Sequence, residues 1–288
     1  MIPGARSTRF ARSRRLAQGC VILATAAAAE SALADGRELA RTEPGTLGVE
    51  LAGTFLLAAG AQQLPVPTRC SWCMPTAFDV WLHSPAPAES RDAIAATSHL
   101  FSFILLPLGG VTTVVAAPLL EGGSGRHAAE NMVILTEVAL VNFAVTLAAK
   151  KMVARQRPAF HYRRGGATEF SRTRVEQNLS FFSGDTSVAF STASGAATIA
   201  FLRGYDSAPY VTAGGAVLAV ATGAMRVAAD VHWPTDVLTG AFVGTAVGIA
   251  IPLLLHPRSS PSRADEQSSY RLSEALGAPA VFTFGGAF

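Results

Sequence analysis

The chain has 288 residues and a formal net charge of +3; half of its residues are hydrophobic and 15% are charged. Soluble domains carry about 25% charged residues, so this composition excludes an ordinary soluble protein and indicates a membrane protein. The apolar residues come in consecutive blocks with short connectors. This arrangement predicts an all-α, multi-spanning helical bundle of about five or six transmembrane helices.

Residues 1–35 have the order of features found in a targeting segment. Five arginines stand near the start, the apolar stretch "CVILATAAAA" follows, and small residues occupy Ala32 and Ala34. This pattern is typical of a signal peptide or a first membrane anchor. We expect the chain to be sent to or across a membrane.

Residues 36–92 are predicted to form an exported region. Its apolar segment 47–64 is ambiguous, because it is short, contains Glu50 and ends in glutamines. If that segment does not cross, the basic loop 150–178 lies on the outer, periplasmic side of a bacterial-type inner membrane. The sequence "CSWC", with Cys70 and Cys73, then lies in an oxidising compartment, where a structural disulfide and two free thiols both remain possible.

Residues 93–256 carry the predicted bundle, and residues 257–288 a polar tail that is predicted to be disordered. The surest span is 93–120, which has no Asp, Glu, Lys or Arg. The other predicted spans are 131–149, 179–202, 208–225 and 235–255.

Two features inside the spans carry predictions about packing. Glu137 interrupts the second span and is expected to face the interior of the bundle, because a carboxylate is costly in lipid. Gly240, Gly244 and Gly248 stand four residues apart in the last span. This spacing lets two helix backbones approach closely inside a membrane.

The loop that begins at Lys150 is strongly basic. Eight cationic residues, against Glu169 alone, lie between positions 150 and 174: Lys150, Lys151, Arg155, Arg157, Arg163, Arg164, Arg172 and Arg174. A basic loop between two apolar spans is typical of contact with a lipid phosphate or the membrane surface, and we expect no nucleic acid partner. Nothing in the sequence identifies a protein partner.

Three clusters at the ends of spans contain candidate phosphate-binding or catalytic residues. In "KKMVARQRP", Lys150 and Arg157 are two helical turns apart and would project from one face if the helix continues to Pro158, which would make an anion clamp. In "SFFSGDTS", Ser183 and Gly184 precede a helix whose free N–H groups favour a bound phosphate. Asp185 then stands where an anion site should not favour a carboxylate.

The third cluster is "RVAADVHWPTD". Arg226 ends one span, His232 lies in the connector, and Asp236 follows four residues later in the first turn of the next helix. A carboxylate near an imidazole holds its tautomer and stabilises the imidazolium, as a nucleophilic or basic histidine requires.

In this order the three clusters resemble the type 2 phosphatidic acid phosphatase (PAP2) superfamily. The family pattern is K-x6-R-P, then P-S-G-H, then S-R-x5-H-x3-D. Lys150, Arg157 and Pro158 match the first motif, "FSGD" matches two of four positions in the second, and the third matches except that Met225 replaces its serine. The resemblance covers roughly residues 130–255.

The resemblance implies a phosphatase that acts on lipid phosphates or diphosphates: phosphatidic acid, diacylglycerol diphosphate or a prenyl diphosphate. It implies that His232 attacks phosphorus and forms a phosphohistidine, and that Asp236 orients it. The phosphoryl oxygens would be bound by Lys150, Arg157, Ser183, Gly184 and Arg226. No metal and no cofactor are expected.

Asp185 departs from the family, whose second motif has at this position the histidine that protonates the leaving oxygen. One interpretation is a substrate whose leaving group needs little protonation, such as a diphosphate. A second is a substitute donor, with His161 as the candidate. A third is a protein that binds lipid phosphate without turnover, with Asp185 paired to Arg157 or Arg226.

Overall fold

The computed structural model describes residues 37–163 and 176–259. The predicted targeting segment 1–35, most of the predicted tail and the middle of the basic loop lie outside the described residues. Residues Leu39–Pro257 form one compact unit, which contains the helices of the described residues.

The described residues are helical, and the prediction of an all-α protein is confirmed. The α-helices are α1 Pro44–Gln63, α2 Ala77–Leu82, α3 Arg91–Leu100, α4 Leu106–Leu120, α5 Gly125–Val153, α6 Pro158–His161, α7 Gly184–Leu202, α8 Ala208–Ala228 and α9 Pro234–Leu255. A π-helical segment, Phe101–Leu105, joins α3 to α4.

Four helical stretches within the described ranges are long and apolar enough to cross a membrane. They are Ala88–Leu120, Gly125–Val153, Ala208–Ala228 and Pro234–Leu255. Large apolar side chains on the outer faces of these helices are exposed: Val217 is 69%, Phe242 75% and Leu254 74% exposed. Such faces suit lipid, and the helices are those of a multi-pass membrane protein.

Helix α7 lies inside the bundle, although its sequence is the least apolar of the predicted spans. It packs against α4, α5, α8 and α9. Its small polar residues are buried against protein, and Ser187 Oγ donates a 2.6 Å hydrogen bond to Asn142 Oδ1 of α5. Since α7 faces neighbouring helices, it needs less apolar surface than a helix that faces lipid.

The three glycines of α9 let its backbone approach that of α7. A Cβ on Gly240 would lie 2.7 Å from the main-chain oxygen of Ser183, and one on Gly244 would overlap the main-chain oxygen of Ser187. A Cβ on Gly248 would lie 2.6 Å from the main-chain oxygen of Ser191. The close approach predicted from the glycine spacing is present, and it places the start of α7 beside the start of α9.

One further expectation from the sequence is confirmed in the packing of α5. Glu137 is fully buried in the bundle, as predicted, and its Oε2 lies 2.9 Å from Nε2 of His256. The ambiguous segment 47–64 falls in α1, which packs on α5 through Ala58, Ala61 and Ala144.

We predict that Gly244→Ala destabilises the bundle. The added methyl group meets the backbone of α7, and overpacking of this kind costs about 1 to 3 kcal/mol. Gly53→Ala in α1 is the matched control, because a Cβ at Gly53 meets nothing within 4 Å. The measurement is the thermal unfolding midpoint of both variants in one detergent. Equal midpoints would contradict the close approach of α7 and α9.

Candidate active site

His232 lies in the connector between α8 and α9 and is only 1% exposed. Its Nε2 is 3.4 Å from Nη1 of Arg157. A guanidinium can only donate, so Nε2 accepts and the ring proton resides on Nδ1. Nδ1 faces Oδ2 of Asp236 at 3.7 Å, longer than a hydrogen bond. This tautomer leaves a lone pair on Nε2, as a nucleophilic histidine needs.

Asp236, in the first turn of α9, is fixed by donors from separate parts of the chain. Its Oδ2 accepts hydrogen bonds from Ser180 Oγ at 2.5 Å and from the main-chain N–H of Trp233 at 2.9 Å. Its Oδ1 accepts from Arg155 Nη1 at 2.5 Å. Its main-chain oxygen accepts from the N–H of Ser183 at 3.0 Å. The carboxylate that faces His232 therefore has one defined orientation.

Arg155 joins Asp236 to Asp79, a residue to which the sequence assigned no role. Arg155 is 1% exposed, and its Nη2 donates to Oδ2 of Asp79 at 2.5 Å. Burial raises the pKa of Asp79, but hydrogen bonds from Thr235 and Thr76 outweigh burial and hold that pKa below its ordinary value. Asp79 is thus an anion that keeps Arg155 against Asp236.

The "CSWC" loop covers Arg155. Cys70 and Cys73 form a disulfide, which resolves the alternative that the sequence left open. Trp72, between them, stacks on Arg155, with 3.8 Å from the guanidinium carbon to the ring centroid. The main-chain N–H of Gln156 donates to the carbonyl of Trp72 at 3.1 Å. The loop therefore shields the buried Asp79–Arg155–Asp236 chain.

The predicted cations Lys150, Arg157 and Arg226 all belong to the site. Arg157 Nη2 contacts Glu176 Oε2 at 2.8 Å, and Arg226 Nη1 lies 3.1 Å from Asp185 Oδ2. Lys150 Nζ donates to the carbonyl of Leu179 at 2.7 Å. Two of these three cations thus face a carboxylate, and the third faces a carbonyl dipole.

The route by which Lys150 and Arg157 reach the site differs from the prediction. Helix α5 ends at Val153, and Ala154 adopts the left-handed conformation with φ of 48°. The chain therefore turns before Arg157, and the prediction that both cations project from one face of a continuous helix is wrong. After this turn, Arg155 donates to Asp236.

The surroundings of His232 favour its neutral form. Burial lowers the pKa of His232 well below its ordinary value, and the charges of the three cations lower that pKa further. The imidazole consequently stays uncharged through neutral and mildly acidic pH. A neutral imidazole keeps a free lone pair on one ring nitrogen, and three cations beside it could bind an anion.

Ser183 and Gly184 form the start of α7, as predicted. Ser183 Oγ caps the helix by accepting from the N–H of Thr186 at 3.4 Å. A Cβ on Gly184 would lie 3.4 Å from Cε of Lys150. The helix N-terminus, with its unpaired N–H groups, therefore opens beside one of the site cations.

Asp185 lies on the Arg226 side of the site. Besides Arg226, its Oδ2 lies 3.3 Å from Nδ1 of His99 in α3. The other candidate donor, His161, makes ring contacts with Tyr162 and Trp233, with centroid distances of 4.9 and 5.8 Å. Of the pairings expected for Asp185, the structure has the one with Arg226.

One group in the described ranges could hold a metal ion, and it does not include the predicted site residues. Glu50, Glu137 and His256 offer ligand atoms within 4.8 Å of one another. These residues lie on α1, on α5 and just after the end of α9, whereas His232 and Asp236 lie where α9 begins. His256 and Glu137 form a hydrogen bond with each other, and Glu50 forms an ion pair with Arg41 at 2.6 Å, so each of the three residues has a protein partner.

Comparison with known proteins finds a family model that matches part of the chain. The PAP2 superfamily model matches residues 131–260, the segment that holds all three clusters. No curated protein matches the chain. A solved structure that is similar is the first transmembrane PAP2 type phosphatidylglycerolphosphate phosphatase from Bacillus subtilis, with 21% identity and a TM-score of 0.40. The similarity covers 69% of this chain and 83% of that one.

We predict that Asp79→Asn destabilises the protein near neutral pH. Breaking a buried ion pair from one side leaves the other charge uncompensated and costs about 3 to 5 kcal/mol. Because the pKa of Asp79 is depressed, its contribution is present above the unfolded-state pKa and is lost as the pH falls through the folded-state pKa.

The check is thermal unfolding at pH 7, with Asp92→Asn as the control, since Asp92 is an exposed aspartate in α3. An unfolding midpoint for Asp79→Asn equal to that of the control would show that the Asp79–Arg155 pair does not support the fold.

Proposed function

We propose that this protein is a membrane phosphatase that hydrolyses phosphate or diphosphate esters of lipids through a phosphohistidine at His232. The observation that carries the proposal is the buried, neutral imidazole of His232, with its Nε2 lone pair beside Arg157 and its Nδ1 facing Asp236. The PAP2 match over residues 131–260 supports the same reaction class.

The first step is binding of the phosphoryl group. Lys150, Arg157 and Arg226 contact its oxygens, and the hydroxyl of Ser183 and the main-chain N–H of Gly184 supply further donors. Positioned cations and N–H groups stabilise the charge that spreads over a transferring phosphoryl group. Glu176 and Asp185 hold two of these cations in place until the substrate takes over the contacts.

The second step is transfer to His232. Nε2 attacks phosphorus while the bond to the leaving oxygen breaks, and the ring becomes a positively charged N-phosphoimidazolium. Asp236 stabilises this charge through Nδ1–H, and Arg155 with Ser180 keeps the carboxylate aligned. Water then attacks phosphorus and the P–N bond breaks. This step releases inorganic phosphate and regenerates His232.

The position of the site favours a lipid substrate. His232 lies between two candidate spans, and Lys150 stands close to the end of a third. When a lipid phosphate head group binds at these helix ends, its acyl or prenyl chains lie beside the apolar outer faces of the helices. We infer that phosphatidic acid, diacylglycerol diphosphate or a prenyl diphosphate is the substrate, and that the site opens to the outer side of a bacterial-type inner membrane.

Asp185 favours a second candidate function, which is binding of a lipid phosphate without turnover. In the motif resemblance to the PAP2 superfamily this carboxylate takes the place of the proton donor, and it is paired with Arg226 at 3.1 Å. An ionised aspartate cannot donate a proton to a leaving oxygen, although it can neutralise one of the cations.

We predict that purified protein in detergent releases phosphate from a lipid mono- or diphosphate, and that His232→Ala reduces release to background. The reason is that alanine has no lone pair with which to form the covalent intermediate. His161→Ala is the control, because His161 packs against Tyr162 and Trp233, and we expect that variant to retain activity.

Release that is unaffected by His232→Ala would contradict the mechanism. If the unmodified protein releases no phosphate but retains a labelled lipid phosphate, the second candidate function holds instead.

A further inference from the structure

Asp185 connects the cationic site to an imidazole from another helix. Its Oδ2 lies 3.1 Å from Arg226 Nη1 and 3.3 Å from His99 Nδ1. The side chain of Asp185 is 12% exposed, whereas that of His99 is 46% exposed. His99 therefore stands at the rim of the site, with Asp185 between it and Arg226.

The position of His99 is defined by its neighbours. The ring lies 4.4 Å, centroid to centroid, from that of Phe103 in the π-helical segment. The preceding residue, Ser98, accepts a hydrogen bond from Arg226 Nη1 at 3.1 Å through its Oγ. Two successive residues of α3 thus contact the Arg226–Asp185 pair, so α3 forms one wall of the phosphate site.

We propose that His99 is the proton donor to the leaving oxygen, held in place by Asp185. This inference rests on the proposed phosphatase function and deepens it. An ionised aspartate cannot give up a proton, but it can stabilise an imidazolium that does. The site then contains two Asp–His pairs with different tasks: Asp236 supports the nucleophile His232, and Asp185 supports the acid His99.

Transfer to His232 forms one P–N bond and breaks one P–O bond. Nε2 of His232 supplies the electron pair for the new P–N bond, and the pair of the breaking P–O bond stays with the leaving oxygen. Protonated His99 keeps Nδ1–H on Asp185 and gives its Nε2 proton to that oxygen. In the second half, neutral His99 takes a proton from the attacking water, so both histidines return to their starting states.

A general acid matters most when the leaving group is strongly basic, and this allows a direct test. An alkyl lipid phosphate leaves as an alkoxide, which needs a proton, whereas p-nitrophenyl phosphate leaves as a stable phenolate. We predict that His99→Gln lowers kcat/KM for a short-chain phosphatidic acid by about 10² to 10⁴, the usual size of general acid help. With p-nitrophenyl phosphate, the same variant should lose less than about tenfold.

Three companion variants make the result specific. His161→Gln should leave both substrates unaffected. Asp185→Asn should reproduce the selective loss in milder form, because the amide still occupies the position but no longer stabilises a charged ring. His232→Ala should abolish both activities, and unfolding midpoints close to that of the unmodified protein show that each variant is folded.

Equal loss on the two substrates with His99→Gln, or no loss on either, would overturn the proposal. A selective loss with His161→Gln instead would assign the proton donor to His161. If His232→Ala leaves both activities intact, or if the unmodified protein hydrolyses neither substrate, the phosphatase function fails, and the role of His99 falls with it.

Discussion

The carboxylate of Asp236 is held by Arg155, Ser180 and the N–H of Trp233, while its main-chain oxygen accepts from Ser183. A fully buried carboxylate is costly unless it is paired and hydrogen-bonded, and this one satisfies both conditions. The same contacts fix the direction from which it faces His232. The contacts among the connector before α9, the start of α7 and His232 consequently meet at one side chain.

The close approach of α7 and α9 brings the chemical groups to this point. Because Gly240 has no side chain, the main chain of Ser183 can lie close enough to α9 to donate a hydrogen bond to Asp236. The N-terminus of α7 then lies beside Lys150. The cations come from three further places: the end of α5, the turn that follows it, and the end of α8. Because each is anchored on a packed helix or beside one, the charges can be held near His232 before a phosphate binds, which is the electrostatic preorganisation that phosphoryl transfer needs.

The sequence was sufficient for features with a local signature and insufficient for those that depend on tertiary contacts. The glycine contact, the buried Glu137 and the helix start at Ser183 follow from spacing and burial cost, and the structure has each of them. Four of the five predicted spans match helices of the described residues that are long and apolar enough to cross a membrane, whereas the predicted span 179–202 corresponds to α7, which is not among them. The helical continuation from Lys150 to Arg157 was wrong, because the left-handed Ala154 has no sequence signal. Asp79 and His99 were missed because their partners, Arg155 and Asp185, lie 76 and 86 residues away along the chain.

The most direct test of the account is to trap the covalent intermediate. The protein would be mixed with a lipid phosphate carrying ³²P, quenched within one turnover, digested and mapped. We predict label on His232, stable in alkali and released by acid as expected of a phosphohistidine, and absent from His232→Ala. Label on another residue, or rapid phosphate release by His232→Ala, would contradict the central claim that His232 receives the phosphoryl group.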